Sequence, residues 1–200
     1  FANADEFDRY VAKIVAAGFM PDASYLWWLI RPSKGFPTLE MRIADCCTRL
    51  RDVAALAALY QSLLCHLKQN RAEAREWEHH HRLVYEENIW QAIRYGTEAR
   101  FVDAVSGTPT TVASWARDVT TLVSDSARRH GCLSEVLSVT DILSEGSSAD
   151  LQLRAYDAAL AGGATREEAV RHVTRQLAQL TVPALDWSSP DDALVEMYSH

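Results

Sequence analysis

The chain of 200 residues is 48% hydrophobic and 24% charged, the balance of an ordinary globular protein with enough apolar residues for a sizeable core. With 20 Lys and Arg against 27 Asp and Glu, the formal charge of −7 argues against the broad basic field that nucleic acid or an anionic membrane would need. No apolar run approaches the roughly 18 residues of a membrane span and no basic-then-apolar leader opens the chain, so a cytoplasmic protein without nucleic-acid or membrane partners is expected.

In chain order, "NADEFDRYVAKIVAAGF" places Phe7, Tyr10, Val11, Ile14 and Val15 at helical spacing after Asn3, a capping residue, and stops at Gly18. "PD" at 21 and 22 turns the chain. "SYLWWLIRP" and "FPTLEMRIAD" are strand-like runs bracketing the loop residues "PSKG", which predicts an antiparallel hairpin. With Arg31 opposite Thr38, Arg31, Glu40 and Arg42 share one face, and Leu26, Trp28, Ile30, Leu39, Met41 and Ile43 the other. A slip of one residue would turn one strand over.

Beyond the hairpin, the pattern predicts helices almost throughout. "RLRDVAALAALYQSLLCHLKQN" carries Val53, Leu56, Ala57, Tyr60, Leu63, Leu64 and Leu67 as its apolar stripe, and "RLVYEENIWQAIRYG" closes at Gly96. "TPTTVASWARDVTTLVSDSARRHG" reads as one helix with Thr108 before Pro109 at its start. "SSADLQLRAYDAALAGG" and "TREEAVRHVTRQL" follow, the latter opened by a capping box from Thr165 to Glu168. Residues 182–200 read as an irregular tail. The expected fold class is α+β: a single domain over residues 1–200 in which a hairpin accompanies a predominantly helical remainder. Two strands do not make a stable sheet of their own, so the hairpin needs covering helices or strands from elsewhere. A chain opening on Phe1 is expected to begin inside a longer protein.

Phosphate-loop, dinucleotide, H-E-x-x-H and G-x-S-x-G signatures are absent. "LAGGATREEA" reads as a loop between helices. His79, His80 and His81 beside Glu76, Glu78 and Glu86 are adjacent rather than spaced, so their side chains diverge around a helix and a polar helix junction is the expectation over a metal site. Cys46, Cys47, Cys65 and Cys132 lack disulfide-framework or C-x-x-C spacing and read as reduced, packed or half-packed thiols. Glu40 and Arg42 are the better candidates for chemistry: a strand carboxylate can hold Mg²⁺ beside phosphate and water, and a guanidinium two residues on can fork to a carboxylate or phosphate, with Arg31 as a second fork. A solvated ion pair is the competing reading.

The ordered pieces "LWWLIRPSKGFPTLEMRIADCCTRLRDVAALAALYQSL" and "EENIWQAIRYGTEARFVD" carry W-x-x-R-P-S, T-x-E-x-R-x-x-D and E-N-x-W-x-A-x-R-x-G. Together they resemble the bacterial carboxylate-amine ligases of the glutamate-cysteine ligase type 2 family, with residues 5–180 matching a C-terminal half. The resemblance implies that the hairpin belongs to a glutamine synthetase-like antiparallel sheet. It implies an ATP- and Mg²⁺-dependent ligase that forms an amide from small acid and amine substrates through an acyl phosphate. Glu40 is then similar to a metal ligand, Arg31 and Arg42 to catalytic and substrate-binding groups, and Asn88 and Arg94 to substrate-binding residues of a cleft-lining helix. It further implies a homodimer as one possible assembly and a missing N-terminal half, without which this piece would be inactive. Leu29 stands where some relatives carry a polar residue. The alternative from a different class is a non-catalytic helical interaction module with an exposed hairpin edge.

Overall fold

The computed structural model describes Phe1, residues 3–70 and residues 79–182. Cα proximity divides the chain into two compact units, Phe1–Cys46 and Cys47–His200. The described residues are mostly helical with two small antiparallel hairpins, an α+β fold.

In the first unit, α1 (Ala4–Ala16) starts where the Asn3 side chain accepts the Glu6 N–H at 2.9 Å. Gly18, at φ +75°, ends it in a conformation that a Cβ would oppose. Its apolar stripe packs through Phe7 and Tyr10 against Trp28, with ring centroids 6.0 and 5.7 Å apart, and Phe1 joins the same aromatic cluster. A 3-10 turn at Ala23–Tyr25, capped by Asp22, leads to β1 (Ile30–Pro32) and β2 (Leu39–Met41). The expected hairpin is present, but its register is not the expected one. Arg31 pairs with Glu40 rather than Thr38, and Ile30 with Met41. The Ser33 N–H reaches the Thr38 carbonyl at 2.9 Å and leaves residues 34–37 as the loop, while the direct Arg31–Glu40 pairing favours this alignment. A displacement of two residues leaves every side chain on its face, so the division into charged and apolar faces survives. Phe7, Val11 and Val15 of α1, with Ile30, Leu39 and also Arg31 of the hairpin, line an open cavity of about 950 Å³.

In the second unit, α2 (Leu50–Gln69) is buried along Asp52, Ala55, Ala58 and Ser62, not along the predicted stripe, from which Val53 and Leu67 are exposed. The small side chains let the following helices approach closely, and that outweighs the bulk of the leucines in deciding which face is covered. After residues 71–78, which lie outside the described residues with Glu76 and Glu78, α3 (His79–Tyr95) ends at Gly96, φ +54°.

A second hairpin follows that the sequence pattern did not reveal: β3 (Arg100–Val102) pairs with β4 (Pro109–Thr111), Phe101 opposite Thr110. Consequently the helix expected from Thr108 starts later. α4 (Val112–Leu122) is capped by the Thr111 hydroxyl, which accepts the Ser114 N–H at 3.1 Å. The same run then breaks into α5 (Ser124–Arg129). Two further short helices, α6 (Leu133–Leu137) and α7 (Val139–Glu145), were also unforeseen. Ala58, Val123, Ala127 and Val136 form the core here, flanked by Leu59, Leu63, Cys132 and Leu133.

α8 (Ser148–Ala161) and α9 (Arg166–Thr181) form a helical hairpin around the Gly162–Gly163 loop, burying Ala155 and Ala169. The Thr165–Glu168 capping box is formed, and Ser147 with Asp150 makes another. The tail from residue 183 lies outside the described residues.

Candidate functional site

Arg31 and Glu40 are direct partners across β1 and β2; Arg42, just past β2, and Trp27, in the approach to β1, lie beside them, and the Arg42 N–H bond to the Leu29 carbonyl carries the pairing one step further. The Glu40 carboxylate accepts the Arg31 Nε–H at 2.9 Å, and Arg42 Nη1 stands 3.6 Å from the same oxygen. The Arg31 guanidinium beside Glu40, and then the Ser33 side chain that also bonds it, hold its carboxyl below the usual glutamate range. Glu40 is therefore a fixed anion at neutral pH.

The two arginines differ in access. The Arg31 side chain is 8% exposed, against 32% for Glu40 and 34% for Arg42. Arg31 Nη1 donates to the carbonyls of Ser24 and of Leu26, the latter at 3.0 Å, so its cation is drawn under the Ala23–Tyr25 turn. That turn is tied to the hairpin loop by Lys34 and Asp22 at 2.7 Å. Arg42 instead lies over the Trp27 ring, 5.1 Å from its centroid. The open part of the face is thus Glu40, Arg42 and Trp27, with Arg31 beneath. Trp27 and Ser33 are additions to the sequence-derived set. Period-two spacing back from Arg31 was the available signal for Trp27, whereas the Ser33 contact depends on the loop closure.

A single carboxylate beside two guanidiniums is a hard-oxygen donor suited to Mg²⁺, but only as one ligand of several. Among the described residues no group of three His, Cys, Asp or Glu side chains could hold a metal ion. Within the described residues Glu40 could supply at most one side-chain ligand to such an ion. The His80 and His81 rings touch each other at 4.3 Å between centroids.

Asn88 and Arg94 stand on α3 in the second unit. The Asn88 carboxamide is engaged with the β3 backbone, donating to the Val102 carbonyl at 2.8 Å and accepting the Val102 N–H at 2.9 Å. Arg94 is exposed near the end of α3, its guanidinium carbon 5.5 Å from the Tyr95 ring centroid. Of the four cysteines, all free, Cys46 is exposed and the others are half-buried.

The model of glutamate-cysteine ligase family 2 matches residues 1–176. The chain belongs to that family. A protein of Rhodospirillum rubrum named "Putative glutamate--cysteine ligase 2" is 43% identical over 185 residues, covering 92% of this chain and 48% of its own length. Proteins of the same name from Bradyrhizobium sp. (strain ORS 278) and Pseudomonas entomophila are 41% and 36% identical, covering 78% and 88% of this chain and 38% and 46% of their own lengths. The chain thus spans less than half the length of these family members. No helix among the described residues is long and apolar enough to cross a membrane.

Proposed function

We propose that the full-length protein is an ATP- and Mg²⁺-dependent carboxylate-amine ligase, joining the γ-carboxylate of glutamate to an amine such as that of cysteine in the cytoplasm. The observation that carries this reading is the Glu40 carboxylate, held on the hairpin between a buried and an open guanidinium in a member of this family.

In the proposed reaction a carboxylate oxygen of the acid attacks the γ-phosphorus of ATP as the bond to ADP breaks. The amine then attacks the acyl phosphate, phosphate leaves, and the amine nitrogen loses its proton. Both steps concentrate negative charge on phosphoryl oxygens, and preorganised cations lower their barriers without any protein nucleophile. Arg42 binds substrate oxyanions through its planar N–H edge. Arg31, drawn under the turn, acts through Glu40 by fixing the direction of the carboxylate. Glu40 would hold Mg²⁺, and the ion would supply charge neutralisation at the transferring phosphoryl group. One carboxylate against two guanidiniums leaves the cluster net cationic, so these residues favour the anionic phosphates of a nucleotide and would hold a lone divalent cation only weakly. Arg94 is the group of α3 assigned to substrate, while Asn88 holds β3 in place.

Glu40→Gln in the full-length protein tests this. Glutamine keeps an acceptor for Arg31 and Ser33 and nearly the same volume, so the hairpin is retained while the charge is lost. The expected result is a loss of kcat of at least roughly 100-fold, read as phosphate release with glutamate and cysteine. A variant that turns over at near wild-type rate removes Glu40 from the metal site.

A further inference from the structure

The charged face of the first hairpin holds two guanidiniums whose donors are used very differently. Arg31 is engaged with Glu40 and with backbone carbonyls. The Arg42 side chain makes no hydrogen bond among the described residues. It has only the 3.6 Å ion pair with Glu40 and its contact with the Trp27 ring at 5.1 Å. Trp27 is itself 77% exposed, a large apolar surface left in water on the same face as the charges.

The register explains the contact. Arg42 donates its backbone N–H to the Leu29 carbonyl at 2.7 Å, so Leu29 is its direct partner and Trp27, two residues back, is the diagonal neighbour that a long side chain reaches. Stacking on an indole occupies the face of a guanidinium and leaves its in-plane N–H groups unused. The carboxylate of Glu40 restrains one end of the same group. Rotamer freedom that an arginine would otherwise lose on gripping a ligand is therefore already lost in the unliganded protein.

We propose that Trp27 is a positioning residue that makes Arg42 a preorganised receptor for a substrate oxyanion, either a carboxylate or a phosphoryl group. This deepens the ligase reading and rests on it for the identity of the substrate. The receptor itself is a property of the hairpin face and is measurable without turnover.

The experiment uses the full-length protein and two probes, inorganic phosphate and glutarate, titrated calorimetrically against wild type, Trp27→Phe, Trp27→Leu, Arg42→Lys and the double variant Trp27→Leu/Arg42→Lys. Trp27→Leu is expected to weaken the probe that Arg42 grips by roughly 3- to 10-fold, the range of a partly exposed cation–π contact. Trp27→Phe, which keeps a ring, is expected to bind within about 2-fold of wild type. In the Arg42→Lys background the Trp27 change is expected to have little further effect, because the point charge of lysine no longer needs a planar support. Loss for phosphate alone assigns a phosphoryl group to Arg42, loss for glutarate alone a substrate carboxylate, and loss for both their shared site. In steady state, the KM of the corresponding substrate rises while kcat changes less.

Three results overturn the proposal: no binding of either probe to wild type at millimolar concentration, unchanged affinities in Trp27→Leu, or losses that add in the double variant. Should Trp27→Leu unfold the hairpin, Trp27→Gln, which also removes the ring but keeps the surface polar, takes its place under the same criteria. Trp27-dependent binding in a protein that releases no phosphate from ATP with any acid and amine pair would sink the ligase reading and leave this inference standing.

Discussion

Gly146 joins α7 to α8 at φ +101° and ψ 149°, and its replacement by alanine is a quantitative test of how that corner is built. This backbone region is essentially confined to glycine, and a side chain there costs about 1–3 kcal/mol. A Cβ would also stand 2.7 Å from Arg154 Nη2 and 2.9 Å from the Asp150 Cβ. Asp150 cannot retreat, because it is part of the capping box on Ser147. Arg154 must therefore swing away, breaking its bond to the Glu145 carbonyl, an exposed contact worth about 0.5–1 kcal/mol. Against this, alanine restricts the unfolded chain and returns about 0.4–1 kcal/mol.

These terms combine to a net loss of about 0.5–3.5 kcal/mol, centred near 2, or a fall in melting temperature of roughly 1–14 °C for a protein of this size. Gly163 is the control: it has φ +91° but nothing within 4 Å of its would-be Cβ, so Gly163→Ala carries the backbone cost alone. Urea and thermal unfolding followed by circular dichroism measure both. Arg154→Ala is expected to relieve part of the Gly146→Ala penalty, giving a non-additive double variant. A Gly146→Ala cost no greater than that of Gly163→Ala, or simple additivity of the Gly146 and Arg154 changes, would rule out a clash at this corner.

Further outcomes follow from the same structure. Asp52 and Arg49 form a nearly buried pair at 2.7 Å, with Arg49 also bound to Glu145 and the Gly146 carbonyl. Asp52→Ala is expected to destabilise by about 2–4 kcal/mol because a nearly buried cation loses the more buried of its two carboxylate partners, while Asp52→Asn costs less; equal unfolding midpoints would refute this. Thr165→Ala removes the cap of α9 and should cost about 1 kcal/mol by urea unfolding, with Thr165→Ser restoring most of it. The Glu40 carboxyl is held low by Arg31 first, so its contribution to stability is whole above the ordinary glutamate range and vanishes as pH falls through its lowered folded value. The stability gap between wild type and Glu40→Gln should accordingly shrink on acidification; a gap that stays constant into strongly acidic solution contradicts the assignment.

Much of this protein was written locally. Asn3 and the Thr165–Glu168 box mark helix starts because a side-chain oxygen within three residues satisfies an otherwise unpaired backbone N–H, which needs no distant partner. The opposed faces of the first hairpin were likewise legible, since alternation is a property of extended backbone and survives a shift of register by two. What the chain could not disclose locally is what depends on approach between distant segments. Strands β3 (RFV) and β4 (PTT) carry no alternating apolar pattern of their own, and they exist through pairing with each other. The covered stripe of α2 follows Ala55, Ala58 and Ser62 because close packing rewards small residues where helices meet, a fact about neighbours rather than about the helix. For the site, residue type and spacing were enough to single out Arg31, Glu40 and Arg42. Only the folded hairpin and the turn above it decided that Arg31 is bound inward while Arg42 rests on Trp27, because access to solvent is set by what else packs against a face.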